Sequence, residues 1–290
     1  MNYSVNSEEE RAFLERYNIN DYDRPSLAAD IVTFAMMQDG RQDNIRKLVN
    51  RELKVLLIKR AAFPYKNSWA IPGGFVRKGE TVEEAAKREL FEETGVKDSY
   101  LRLAGVYSDT ERDPRGWIIS NSFISIVDAM ECSLRADTDA WEAAWFNVLM
   151  NSEVVESEKE TVTYRHTLRL TNEEIVLEAT VLQKRKAKGH KSSSVYVIEA
   201  NNGLAFDHAK IIVSSMVELR EIMRNDLRLA FDFLPDTFTL AQMQNTVEKV
   251  LDTELLTANF RRKVAAYVEE TGEVVEGEGH RPAQLFSVKI

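Results

Sequence analysis

The chain has 290 residues, of which 44% are apolar and 29% charged, with a net charge of −9 at pH 7. That length fits two domains and a sizeable core, and the composition excludes collagen-like, low-complexity and wholly disordered chains. Cys132 is the one cysteine, so neither an intramolecular disulfide nor a cysteine zinc site can form.

Residues 1–22 read as an arm, with a short helix after Ser7 and a turn in NINDYDRPS. MNYSVNSEEE has neither the basic start nor the apolar stretch of a signal peptide. No apolar run reaches the roughly 18 residues of a membrane span. The expected setting is the reducing cytoplasm, with no membrane partner. The acidic average field repels nucleic acid, so a phosphate-bearing ligand needs a local basic patch or a bridging metal.

LAADIVTFAMM from Leu27 and LKVLLIKR (53–60) have the length and branching of buried strands, with a polar break at Gly40–Asn50. Trp69-Ala70-Ile71 runs into the sharp break Pro72-Gly73-Gly74. A helix follows. Thr81 and Glu84 have capping-box spacing, Val82, Ala86 and Leu90 form an apolar stripe, and Gly95 stops it. Strand-like runs at 100–108, 118–129 and 143–149 complete an α/β arrangement.

Beyond an acidic stretch at 151–160, three alternating segments, TVTYRHTLRLT, EEIVLEATVLQ and SSVYVIEA, read as a β-meander inserted in or appended to the first domain. Its turns are expected at Asn172 and at KRKAKGHKSSS. From Leu204 the spacing becomes helical. FDHAKIIVSSMVELREIMR, DTFTLAQMQNTVEKVLD and TANFRRKVAAYVEE read as three helices, and GEVVEGEGHRPAQLFSVKI as two strands about a Gly-rich turn. The expected units are the arm 1–22, a first domain 23–150, a β-rich connector 151–203 and a C-terminal domain 204–290.

The chemistry concentrates in GFVRKGETVEEAAKRELFEETGV, residues 74–96. Glu89, Glu92 and Glu93 stand at i, i+3 and i+4, so one helix face carries three carboxylates. Three such charges repel unless a cation sits among them, and hard oxygen ligands suit Mg²⁺ or Mn²⁺. The Gly73-Gly74 turn lets a backbone carbonyl approach the same metal. Arg88 is placed to pair with Glu80 and orient the carboxylates. Together they point to metal-assisted attack of water on a phosphoanhydride. The competing reading is a solvated acidic face with Glu84–Arg88 pairs.

This stretch resembles the Nudix box, G-x5-E-x7-R-E-U-x-E-E-x-G-U with U aliphatic, at all nine specified positions. The resemblance implies an α/β/α sandwich whose box forms loop, helix and loop. It implies Glu89, Glu92 and Glu93 as metal-binding carboxylates, Gly73 or Gly74 as a carbonyl ligand, and Arg88–Glu80 as a supporting pair. The family hydrolyses nucleoside diphosphates linked to another group.

Outside the box, DTERDPRGWIIS carries Arg112 and Arg115, suited to gripping phosphate. The alternative is a surface turn in which they pair with Glu111 and Asp113, themselves candidates for a base. DRPS (23–26), SWAIPGGFV (68–76) and RDPRG (112–116) resemble ADP-ribose-recognising Nudix proteins, which adds Gly74 to the substrate-binding candidates. Phe63, Tyr65, Trp69 and Phe75 either stack on adenine or pack the core.

Helices followed by a hairpin are winged-helix order. LAFDHAKII, FTLAQMQ, NFRRK and HRPAQLF resemble Nudix-type transcriptional regulators of the NrtR-like group. That resemblance implies a sensor of ADP-ribose or a sugar joined to a winged helix that binds operator DNA as a homodimer. Members with damaged boxes only sense, and some members with intact boxes also hydrolyse. Asn259, Arg261, Arg262 and Lys263 are the candidate recognition-helix residues, and Arg281 the candidate wing residue. Against DNA stands the balance of residues 204–290, with 10 Lys+Arg and 14 Asp+Glu. A winged helix kept for dimerisation, or to cover the active site, is the alternative.

The basic run Lys184-Arg185-Lys186 reads as a hairpin tip, and Asp207-His208 as a capping pair. The expected function is hydrolysis of ADP-ribose or a related nucleoside diphosphate sugar to AMP and a sugar phosphate, with a regulatory DNA-binding role. The alternatives are an ADP-ribose- or sugar-responsive regulator with little hydrolysis and a non-catalytic binding module.

Overall fold

A computed structural model describes residues 7–38, 51–96, 99–127, 140–173, 175–275 and 282–289. Strand β1 (Ser26–Gln38) is its axis. Ala29, Ile31 and Ala35 are buried on one face of β1, and Val32, Phe34 and Met36 on the other. Burial on both faces explains a continuous apolar run where a half-exposed strand would alternate.

β1 pairs antiparallel with β2 (Arg51–Arg60) and with the short β4 (Gly73–Phe75). β3 (Trp69–Ala70) joins β2 at Ile58 and Lys59, on the side that β1 occupies further along and opposite β7. β5 (Tyr100–Tyr107) pairs with β6 (Ile118–Ile126), which runs parallel to β1. β7 (Ala140–Ser157), β8 (Thr161–Asn172), β9 (Ile175–Lys188) and β10 (Lys191–Asn202) follow as successive antiparallel neighbours. The sheet order is β10-β9-β8-β7-β2-β1-β6-β5.

The arm carries α1 (Glu8–Arg16), capped by Ser7 and with no buried residue. α2 (Val82–Thr94) lays Ala85, Ala86 and Leu90 on Ala29, Ile31 and Phe123. Its Thr81–Glu84 capping box is formed at both bonds, and Gly95 ends it in the left-handed conformation at φ 75°. α3 (His208–Asn225) covers the opposite face with Ile211, Ile212, Met216, Leu219 and Met223. The result is an α/β/α sandwich.

The expected break at 150/151 falls inside β7, which runs on to Ser157, and β8–β10 extend the same sheet. The expected break at 203/204 precedes α3, which packs on β1, β6, β8, β9 and β10. Alternation in a sequence reports a strand's two faces and not its neighbours, so the meander read as separate. We propose a division into the arm, a sheet-and-helix unit from Ser26 to Asn225, and a C-terminal unit beyond it. The expected basic hairpin tip is shorter than anticipated. Lys184–Lys186 lie in β9, paired on both sides, and the turn is Gly189-His190.

The C-terminal unit runs through a 3-10 helix (Leu227–Phe233), α4 (Leu240–Leu251), α5 (Thr257–Val264), β11 (Val268–Val275) and β12 (Ala283–Val288). Phe238 bridges to Phe286 as a third partner of the wing. The third predicted helix, drawn through Glu270, stops at Val264. Phe260, Val264 and Val268 keep helical spacing, but Val268 is buried as the first residue of β11, paired with Val288. Glu269 and Glu270 therefore lie on the wing. One hydrophobic core runs from the sheet through α3 and α4 to Phe260 and Val264 of α5. Buried Arg220 of α3 reinforces the joint, with Nε donating to Val250 O (2.9 Å) at the end of α4 and Nη1 to Met150 O (3.1 Å) on β7. Lys249 of α4 adds a 2.7 Å pair with Glu52 of β2. No helix among the described residues is long and apolar enough to cross a membrane.

Candidate active site and nucleic-acid interface

One cavity of about 530 Å³ brings together β1, the β3–β4 turn, α2, the 112–115 loop and the start of α3. Glu89, Glu92 and Glu93 line it, with Gly73 and Gly74 beside them. A Cβ on Gly74 would lie 2.1 Å from Glu89 Oε1, and one on Gly73 2.5 Å from Ala29 O. At Gly73 the obstacle is the β1 backbone, so that position requires glycine; at Gly74 it is the carboxylate of Glu89, which a side chain there would push aside.

Arg88 organises the carboxylates. It donates to both oxygens of Glu80 (2.9 and 3.1 Å), to Glu89 Oε1 (2.5 Å), to Glu92 Oε2 (3.3 Å) and to Phe75 O (3.3 Å). The Arg88 contacts, with the Arg77 N–H, lower Glu80 to about 2. Burial raises Glu89, against the pull of Arg88. Glu93 is buried in the cavity wall. The donor set is hard oxygen, the kind that holds Mg²⁺ or Mn²⁺. As placed, no three His, Cys, Asp or Glu among the described residues converge into a metal cluster; Arg88 holds Glu89 and Glu92 instead.

Arg112 and Arg115 both line the cavity but are held differently. Arg112 is buried and grips both oxygens of Asp207 (2.8 and 3.2 Å), with Asp30 at 3.6 Å. Asp30 in turn accepts from the Ser120 hydroxyl. Arg115 makes the expected local pair with Asp113 (2.7 and 3.0 Å). The anticipated Asp207-His208 capping pair is absent. Asp207 makes no cap hydrogen bond, and His208 Nδ1 accepts from the Ile71 N–H at 3.0 Å. An Nδ1 that accepts carries no proton, so this contact requires the Nε2–H tautomer; burial, which lowers the His208 pKa, favours the same uncharged ring.

Among the aromatics, Trp69 is core, set edge-on to Phe146 at 4.8 Å. Phe63 and Phe75 line the cavity, and Tyr65 packs on Phe206 at 4.8 Å. Phe206, Asp30, Arg60 and His208 also line it without any local motif to flag them. They reach the site from the central strand β1, from the end of β2 and from the segment that follows the meander. The one sequence cue was LAFDHAK, read as the opening of the C-terminal half.

On α5 the buried Phe260 and Val264 anchor the helix. Asn259, Arg261, Arg262 and Lys263 are exposed. Arg262 donates to Asn259 at 3.3 Å. The three cations form no ion pair among the described residues. Arg281 lies outside the described residues.

Residues 43–170 match the NUDIX domain family, and residues 230–288 match the NrtR DNA-binding winged helix domain. Fold and matches together define a Nudix-type α/β sandwich followed by a winged helix. The chain carries a Nudix domain and an NrtR-type winged-helix domain. It is 28% identical over 290 residues to the ADPR responsive transcriptional repressor NtrR of Acinetobacter baylyi, across 99% of this chain and 91% of that one. It is 48% identical over 101 residues to an ADP-ribose pyrophosphatase of Methanocaldococcus jannaschii, 35% of this chain and 59% of that protein. A MutT/nudix family protein from Enterococcus faecalis has the same fold, with TM-score 0.66, 26% identity and coverage of 99% of this chain and 100% of that chain.

Proposed function

We propose that this chain hydrolyses the phosphoanhydride of ADP-ribose or a related nucleoside diphosphate sugar, releasing AMP and a sugar phosphate. The observation that carries the reading is one cavity lined by Glu89, Glu92 and Glu93 together with Arg112, Arg115 and Phe75. Glu89, Glu92, Glu93 and the Gly73 carbonyl would hold Mg²⁺ or Mn²⁺. The ion, when bound, activates water and neutralises charge on the diphosphate. Arg88, fixed by Glu80, keeps Glu89 and Glu92 together at the cavity. Arg115, reaching in from its loop, meets the anionic substrate; Arg112 stiffens the wall through Asp207. The test is incubation with ADP-ribose and Mg²⁺ or Mn²⁺, against EDTA. Metal-dependent AMP is expected. No AMP, with a raised melting temperature in ADP-ribose, would leave a sensor and not a hydrolase.

A second role, ligand-responsive binding of operator DNA by a cytoplasmic homodimer, is favoured by α3. Its first residue, His208, lines the cavity, Asp207 just before it holds the cavity residue Arg112, and Arg220 further along grips α4 of the winged helix. A ligand that shifts the wall therefore acts on the element that seats the DNA-binding unit. In a dimer, two α5 helices would meet two half-sites. Titrating ADP-ribose into a gel-shift assay with DNA from upstream of the protein's own gene checks this. Lack of any shift, or a shift indifferent to ADP-ribose, would sink the regulatory role.

A further inference from the structure

The Nudix match ends at residue 170, yet the cavity is completed by Phe206, which arrives after the last strand of the meander. The chain makes a specific effort to deliver it. Trp69 clamps the returning segment on both sides, its N–H donating to Gly203 O (2.9 Å) and its carbonyl accepting from Ala205 N–H (2.8 Å). Gly203 then turns at φ 94° and Phe206 itself adopts φ 51°. A left-handed backbone is unfavourable for a bulky aromatic residue and marks a position held for its side chain.

The ring is set among cations. The Arg60 guanidinium stands 4.8 Å from its centroid and that of Arg115 5.3 Å. Tyr65 and His208 pack on it at 4.8 and 5.2 Å. Arg60 is tethered by Nε to Pro64 O at 2.8 Å. Arg115 is more exposed, is anchored to the buried Asp113, and also lies 5.2 Å from the centroid of Phe75. A guanidinium is a flat cation that rests on aromatic faces as a heterocyclic base does.

We propose that Phe206 is the specificity-determining residue of this site, the platform on which the base of a nucleoside diphosphate stacks, taking the place where Arg115 now rests. This deepens the hydrolase reading and rests on it for the location of the diphosphate. The displaced Arg115 stays tethered near the cavity, where it offsets the charge of the phosphates. The sheet extension β8–β10 thereby acquires a role at the site, since its return carries the base platform. A diphosphate without a base gains nothing from Phe206.

The test compares AMP with ribose 5-phosphate, by calorimetry on the full chain with Mg²⁺, in wild type, Phe206→Leu and Phe206→Trp. Stacking on an aromatic ring predicts AMP binding about 5- to 100-fold weaker in Phe206→Leu, with ribose 5-phosphate within about twofold. Phe206→Trp should restore AMP binding. For ADP-ribose turnover, KM should rise in Phe206→Leu while kcat stays within about threefold. An equal loss for both ligands, or no loss for AMP, would overturn the proposal. If Phe206→Leu does not fold, the etheno analogue of AMP reads the contact in wild type, with quenched fluorescence expected and an unquenched bound probe overturning it. Wild type that prefers AMP to ribose 5-phosphate but turns over no ADP-ribose keeps this inference and removes the hydrolase. Equal affinities remove the inference and leave hydrolysis standing. Binding of neither removes both.

Discussion

Helices α2 and α5 each gather like charges, and they do so in opposite ways. On α2 the carboxylates of Glu89 and Glu92 are half-buried and that of Glu93 is buried, all at one cavity, with Arg88 already among them. On α5 the cations of Arg261, Arg262 and Lys263 stand in solvent, and only Phe260 and Val264 beneath them are buried. Charges held in a cavity act at contact distance and are little screened by salt. Charges in solvent act over about 10 Å and fade as salt rises. The first arrangement suits chemistry on a small anion and the second suits attraction to a large one. An acidic chain needs both, because its average field repels phosphate in either form.

The comparison breaks most visibly at the cavity. Glu92→Gln with Glu93→Gln should lower ADP-ribose turnover by about 10³-fold or more, since both sides of the metal-facing cluster are lost. The melting temperature should change little, because the repulsion relieved among the carboxylates offsets the Arg88–Glu92 attraction that is lost. Full activity in that variant would end the assignment of these carboxylates.

The joint between the two regions comes next. Arg220→Met removes a buried guanidinium that holds carbonyls of both β7 and α4. A loss of about 2–4 kcal/mol in urea unfolding is expected, from two charge-assisted hydrogen bonds. A split into two unfolding transitions would show that Arg220 couples the units; one transition at unchanged stability would show that the apolar core alone suffices.

On α5, Arg261→Ala with Arg262→Ala should weaken operator binding by roughly 10- to 100-fold and flatten the log–log salt slope by about 2. ADP-ribose turnover should not change. A variant that loses affinity with its salt slope intact would mean that these arginines do not meet phosphate.

The smallest effect concerns acid. His166 and His208 are buried, and burial lowers both pKa values below the ordinary 6.5. Below about pH 6.5 the unfolded chain then binds protons that the folded chain does not, so stability falls with pH until the folded values are reached. Each ring contributes a slope of at most about 1.4 kcal/mol per pH unit. His166→Gln should remove one such share from urea midpoints measured between pH 7 and pH 5. An unchanged slope would mean that His166 is not kept neutral.

Local signals were legible where the governing interaction is local. The α2 boundaries followed from Thr81, Glu84 and Gly95, because capping and left-handed closure involve residues three or four apart. The Arg88–Glu80 pairing also lies within one box. The end of α5 was not legible, because Val268 satisfies a helical stripe and a strand equally, and only its pairing with Val288 decides. Nor was the partner of Arg112, since Asp207 lies 95 residues away in sequence.

By itself the sequence determined the carboxylate helix, its glycine turn, the order of helices and wing, and the cations of α5. These rest on short-range periodicity and on the chemistry of adjacent side chains. Tertiary structure alone decided that the meander continues the first sheet, that α3 joins cavity to winged helix, and that Phe206, Asp30 and His208 stand at the site. Strand pairing and cavity walls are set by long-range burial, which joins residues from distant stretches of chain and leaves no mark in their spacing.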